Sequence, residues 1–126
     1  MRQMLKALYV DDDEDIGTIV ELCLELDGTF ETRTVTSGRE ALAEAETWNP
    51  DVILLDYMMP EMDGPTTFGH LKESGTTQAI PVIFVTAKSM DEDIAMIRDL
   101  GASGMISKPF EPTTFAAEVK SLLGQS

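Results

Sequence analysis

Four short apolar runs in this 126-residue chain end in residues that can do chemistry. Leu5–Val10 runs into Asp11-Asp12-Asp13, and Val52–Leu55 into Asp56. Pro81–Val85 runs into Thr86, and Gly104–Ser107 into Lys108-Pro109. Brought to one crevice, two or three carboxylates would repel one another by on the order of several kcal/mol at low effective dielectric. A hard divalent cation relieves that repulsion, and oxygen ligands with room for waters suit Mg²⁺. No His or Cys lies near these positions to favour zinc, so Mg²⁺ (or Mn²⁺) is the expected cofactor. Asp56 stands apart as a single carboxylate that caps a wholly apolar run and precedes the loop Tyr57–Gly64. On rigid strand backbone beside a metal, it can act as a nucleophile toward phosphorus. The metal, the Thr86 hydroxyl and the Lys108 ammonium would then stabilise the outer oxygens of the transferred phosphoryl group.

The elements needed to bring these residues together are legible in the pattern. Leu5–Val10 reads as a strand, followed by a helix from about Asp13 to Leu26 with apolar positions Ile16, Ile19, Val20, Cys23 and Leu24. Gly28 is its stop signal. Phe30–Val35 alternates and is Thr-rich, as a half-exposed edge strand should be. Ser37 and Glu40 form a capping box for a helix that ends before Trp48-Asn49-Pro50. Val52–Leu55 and Pro81–Val85 are apolar without alternation, the mark of strands covered on both faces. Between them a weaker helix, about Pro65 to Glu73, turns Phe68 and Leu71 inward. Ser89 and Glu92 form a second capping box, and Gly101 closes that helix after Leu100. Gly104–Ser107 holds a short strand. Pro112 suits the first turn of a last helix whose stripe is Phe115, Val119, Leu122 and Leu123.

A strand-then-helix unit repeated five times implies an α/β, doubly wound fold: a five-stranded parallel sheet with helices on both faces and right-handed crossovers. Ligands of such sheets sit at the carboxyl ends of the strands. That is where Asp11, Asp12, Asp56, Thr86 and Lys108 fall. The length suits one domain spanning residues 1–126, with a core of about 5–123.

Charge and composition bound the partners. Nine Lys+Arg against 23 Asp+Glu give a net charge of −14, which would repel phosphate backbones and disfavours direct nucleic-acid binding. The apolar runs are too short to cross a bilayer, and Met1–Lys6 lacks the features of a signal peptide. With one cysteine, Cys23, no intrachain disulfide is possible. The expectation is a small, soluble, acidic, cytoplasmic domain.

Taken in order, Val10-Asp11-Asp12-Asp13, Leu54-Leu55-Asp56 with the loop to Gly64, Val85-Thr86-Ala87 and Lys108-Pro109-Phe110 resemble the receiver domain of two-component response regulators. The likeness covers the full length and is closest in kind to the stand-alone chemotaxis members. It implies a flavodoxin-like (βα)₅ fold with strand order 2-1-3-4-5. It implies Asp56 as phosphoacceptor, Asp11 and Asp12 as the acidic pair, Thr86 as the switch hydroxyl and Lys108 as the phosphate-sensing cation. Mg²⁺ would be bound by these acids, Asp56 and the Met58 carbonyl. A cis Lys108–Pro109 bond is implied too. The partners implied are a histidine kinase or histidine phosphotransfer protein, and a downstream protein on the face made by the fourth helix, fifth strand and fifth helix. No independent enzymatic turnover is expected.

The chain departs from the family pattern at three positions. Met105 stands where receivers often carry an aromatic residue that rotates inward, which predicts a softer two-state coupling. Met58 and Lys88, two residues past Asp56 and Thr86, flank the path of hydrolytic water and are expected to tune phosphate lifetime. Other residues have plainer readings. Asp13, Glu14 and Asp15 suit an acidic helix start, His70 a solvent-facing helix position, and Cys23 core packing. Met58, Met59 and Met62 suit loop packing, and Gly64 a need for positive φ or close approach.

Three rival functions are open to a strand-end aspartate of this kind. An aspartyl-nucleophile phosphatase wants a second Asp two residues on, where this chain has Met58. A flavodoxin-like cofactor binder wants a Ser/Thr/Gly phosphate loop, where this chain has acids. A degenerate, non-phosphorylated receiver scaffold would not need the full residue set. The chain stops soon after its last helix, which fits either a stand-alone receiver or a domain of a longer regulator.

Overall fold

The computed structural model describes residues 4–87, 91–108 and 110–124, with the backbone alone for 91–94. Five strands and five helices alternate: β1 (Leu5–Val10), α1 (Glu14–Asp27), β2 (Phe30–Val35), α2 (Gly38–Trp48), β3 (Val52–Asp56), α3 (Gly64–Glu73), β4 (Val82–Thr86), α4 (Asp91–Asp99), β5 (Gly104–Ser107) and α5 (Phe115–Leu122). The sheet is parallel throughout, in the order β2-β1-β3-β4-β5. This is the doubly wound, flavodoxin-like arrangement expected from the sequence pattern.

Side chains alternate across each strand, so the sheet divides the core in two. On one face Leu8, Val10, Ile53, Leu55, Val82 and Phe84 meet Ala41, Ala45 and Trp48 of α2, Phe68 and Leu71 of α3, and Ile97 of α4. On the other, Ala7, Tyr9, Leu54, Ile83, Val85 and Ile106 meet Val20 and Leu24 of α1 and Phe115, Ala116 and Val119 of α5. Every residue of β3 and β4 is buried. That double covering is why these two strands are apolar at every inner position instead of alternating.

Local chemistry sets the helix starts near the carboxyl ends of the strands. Asp13 lies outside α1 as its cap, its carboxylate accepting from the Asp15 and Ile16 N–H groups. Ser37 caps α2, and Glu40 reaches back to the N–H of Thr36, one residue earlier than a standard capping box would require. Asp63 caps α3 through Thr66 N–H at 2.9 Å. Gly64, next in line, is needed for close approach and not for positive φ: a Cβ there would lie 2.4 Å from the Asp56 carbonyl oxygen. The left-handed residue of this loop is Glu61, at φ 66°.

Several expectations need correction. Pro112 precedes α5 instead of occupying its first turn, and the helix begins at Phe115. Ile19, expected on the inner stripe of α1, is 47% exposed. Cys23 is half-buried at the α1–α5 seam, not in the core proper. Both residues sit at the border of a stripe that Val20 and Leu24 already fill. Met59 is buried in the loop, whereas Met58 is 60% exposed. His70 is exposed, as expected, beside Glu73. The Ser89–Glu92 capping box lies outside the described residues.

Candidate functional site

Strand register brings the chemistry-bearing residues to one end of the sheet. Val10 pairs with Leu55, so Asp11 and Asp56 follow side by side on adjacent strands. Asp56 in turn pairs with Val85, one residue before Thr86, and Thr86 pairs with Ser107, one residue before Lys108. The Lys108 N–H donates to the Thr86 carbonyl at 2.8 Å, tying the last two strand ends together.

Asp11 and Asp56 are buried and Asp12 is exposed. Carboxylate oxygens from all three lie within 4.8 Å of one another. Lys108 bridges the buried pair, its Nζ 2.8 Å from Asp11 Oδ2 and 3.4 Å from Asp56 Oδ1. Asp11 is the more firmly held of the two. Its Oδ1 accepts from the Asp13 N–H at 3.0 Å, and its Oδ2 accepts from the Tyr9 hydroxyl at 2.8 Å as well as from Lys108.

These contacts push the two buried acids apart in proton affinity. Burial works to raise Asp11, but the hydrogen bonds from Lys108, Asp13 and Tyr9 hold its carboxyl below the ordinary range. Burial and the neighbouring Asp11 charge push Asp56 up to about 6, despite Lys108 and the N–H of Met58. Lys108 is raised: burial opposes its charge, but its bond to Asp11 and the charges of both acids outweigh it. Of the two buried acids Asp56 is therefore the less stabilised as a carboxylate, and it lies beside an exposed third acid. An all-oxygen set of this kind fits a hard divalent cation.

Among the described residues, three depressions open beside the site. One is acidic, lined by Asp12, Asp13, Glu14, Asp15 and Thr36. A second reaches Asp11 between Thr34, Thr36 and Glu40. The third is largely apolar and reaches Lys108, lined by Ile16, Ile19, Ala87, Phe110 and Pro112.

Comparison with known proteins gives this geometry a family. A model of the response regulator receiver domain matches residues 7–120. The chain belongs to the response regulator receiver family. It is 38% identical over 121 residues to the alkaline phosphatase synthesis transcriptional regulatory protein PhoP of Bacillus subtilis, covering 96% of this chain and 49% of PhoP. This receiver thus spans about half the length of the curated relatives it matches. Among solved structures it resembles the chemotaxis response regulator CheY4 of Vibrio cholerae, with a TM-score of 0.87 and 32% identity over 95% of this chain and 99% of that one. A response regulator from Chloroflexus aurantiacus J-10-fl gives a TM-score of 0.88 at 30% identity, over 98% of this chain and all (100%) of its own. The chain is thus a phosphoacceptor receiver of two-component signalling.

Asp11, Asp12, Asp56 and Lys108 converge. Thr86 is buried at the end of β4. Met105 is half-buried against the core face that contains Phe84, its partner in register. Met58 presents its N–H to Asp56 while its side chain is exposed. Lys88 and Pro109 lie outside the described residues, and with them the lifetime reading for Lys88 and the cis-peptide reading. Tyr9 is the participant that motif reading missed. Its signal is the period of two along β1, which places residues 9 and 11 on the same side of the strand. Among the described residues no helix is long and apolar enough to cross a membrane.

Proposed function

We propose that this receiver takes a phosphoryl group on Asp56 from the phosphohistidine of a kinase or phosphotransfer protein. The observation that carries this is Asp56 itself: a buried strand-end carboxylate, next to two further acids, with a lysine 3.4 Å from its Oδ1. Asp11, Asp12, Asp56 and the Met58 carbonyl would hold Mg²⁺ (Mn²⁺ is chemically equivalent here). When bound, the ion would supply charge neutralisation for the phosphoryl oxygens. An Asp56 carboxylate oxygen forms the new P–O bond, the P–N bond of phosphohistidine breaks, and its electron pair stays on the imidazole nitrogen. Lys108 and the Thr86 hydroxyl bind the outer phosphoryl oxygens as charge builds there. Buried surroundings strengthen each of these contacts.

The donor protein would approach over the apolar depression of Ile16, Ile19, Phe110 and Pro112, which gives access to the lysine side of the crevice. Movement of Thr86 toward the phosphoryl group would be read by Met105 and by the α4-β5-α5 face, where a downstream protein docks. The receiver would assist its own phosphorylation and dephosphorylation without turning over a separate substrate. An acidic surface and the absence of a membrane-length helix among the described residues support a cytoplasmic protein that works through protein contacts, not nucleic acid.

The test is incubation with acetyl phosphate and Mg²⁺ followed by intact-mass measurement. Wild type should gain one labile phosphoryl group and Asp56→Asn none. Equal labelling of the two would place the acceptor elsewhere.

A further inference from the structure

Tyr9 is wholly buried in the core shared by α1 and α5, yet its hydroxyl emerges at the base of the crevice. A buried phenol needs a partner, and here it donates to Asp11 Oδ2 at 2.8 Å. That oxygen is also the one Lys108 binds, at 2.8 Å. Lys108 is therefore shared between Asp11 Oδ2 and Asp56 Oδ1. A phosphoryl group on Asp56 adds oxygens beside this ammonium and competes for it. Asp11 is 2% exposed, so water cannot easily replace a donor that leaves. A buried carboxylate oxygen stripped of its donors carries the full desolvation penalty. The Tyr9 ring is wholly buried in the core with Val20, Leu24 and Phe115, so packing keeps its hydroxyl in place when Lys108 turns.

We propose that Tyr9 is a positioning residue: its hydroxyl holds Asp11 Oδ2 so that Lys108 is released toward a phosphoryl oxygen on Asp56. The proposal rests on the phosphoacceptor reading of Asp56 and adds to it a residue outside the four motifs. Tyr9 touches neither phosphorus nor metal. It acts through Asp11.

Tyr9→Phe removes the hydroxyl and keeps the ring. Binding of fluoroberyllate (BeF₃⁻), a phosphoryl mimic, at saturating Mg²⁺ should weaken about tenfold by calorimetry. In a Lys108→Met background the same substitution should change binding less than twofold, since no lysine has to leave Asp11. An equal loss in both backgrounds would mean that Tyr9 matters only for packing, and no loss in either would remove it from the site. Both overturn the proposal. Wild type that binds no BeF₃⁻ and takes no phosphoryl group would overturn the phosphoacceptor reading and this inference with it. If Tyr9→Phe does not fold, 3-fluorotyrosine incorporated into wild type gives an independent readout. Its Tyr9 ¹⁹F resonance, assigned with Tyr57→Phe, should shift when BeF₃⁻ is added. A resonance that stays in place again overturns the proposal.

Discussion

The two sides of the strand-end crevice are built from different materials. At the β1–β3 end, Asp11 is held by three donors between 2.8 and 3.0 Å, two of them on a single oxygen. On the β4-α4-β5 side, Tyr57 reaches α4 by donating to the sulfur of Met96 at 3.2 Å, and Met96 is 51% exposed. Thioether sulfur is a weak acceptor, and methionine adapts to altered surroundings at low cost. Asp11 resists displacement, whereas the α4 side can yield. A signalling domain needs both: a rigid acceptor so that chemistry is positioned, and a compliant flank so that the charge added there changes a surface.

The largest effect should come from breaking the rigid end. Lys108→Met removes the cation from a buried acid pair. Without metal, it should destabilise the fold by on the order of 2 kcal/mol in urea unfolding, less than for a fully buried pair because Lys108 keeps some solvent contact. Mg²⁺ should restore much of that loss by mass action on the native state. An unfolding midpoint equal to wild type in EDTA would show that the Lys108 contacts do not hold the site together.

Asp56→Asn should act in the opposite direction by a similar amount. The Asp56 carboxyl is pushed up from 3.8 to about 6, so the native protein holds this proton to higher pH than the unfolded chain does. Stability from this group is therefore present at low pH and lost as pH rises through that window. In EDTA, Asp56→Asn should be more stable than wild type at pH 8 by on the order of 2 kcal/mol. The gain should shrink toward pH 4. Asp11 behaves in reverse, since its carboxyl is held down by its donors: its contribution is lost as pH falls below the ordinary carboxylate range. A stability difference between wild type and Asp56→Asn that is flat from pH 4 to 8 would contradict the raised proton affinity assigned to Asp56.

A smaller effect concerns lifetime. The exposed Met58 side chain next to Asp56 cannot orient an attacking water by hydrogen bonding. Met58→Asn supplies donors and an acceptor there and should hasten loss of the phosphoryl group by up to about tenfold, or 1.4 kcal/mol of barrier. Combining it with Lys88→Glu should add to the effect. Unchanged decay of the labelled protein by intact mass would clear Met58 of any such role.

The smallest effect is expected on the compliant side. Met96→Leu keeps volume and removes the sulfur acceptor, and should change unfolding free energy by less than about 1 kcal/mol. A larger loss would show that the Tyr57–Met96 contact is a rigid strut after all.

Most of the site was legible because its residues sit at predictable places. Asp56 ends a strand with no polar position, and Asp11, Thr86 and Lys108 end three others, so a parallel sheet alone sends them to one edge. The Ser37 cap and the acidic start of α1 were equally local, since they act on backbone groups two or three positions away; the Asp63 cap of α3 went unread. Reading failed where neighbours far along the chain decide. Ile19 and Cys23 lie on the margin of α1, and whether they are covered depends on where α5 and the residues leading into it, Phe110 and Pro112, pack. Pro112 has the chemistry for a helix first turn, but the chain does not become helical until Phe115.

By itself, the order and type of residues determined the alternation of strands and helices, the covered strands β3 and β4, and the set of strand-end groups. Those are consequences of period and of local backbone preference. Which acid would be buried, which would face water and which would hold its proton to higher pH was decided only in three dimensions. Asp11 and Asp12 are adjacent in sequence and chemically identical, yet one is enclosed by Tyr9, Asp13 and Lys108 and the other is exposed. Lys108 lies 97 positions from Asp11, so only the folded sheet makes it the common cation of Asp11 and Asp56.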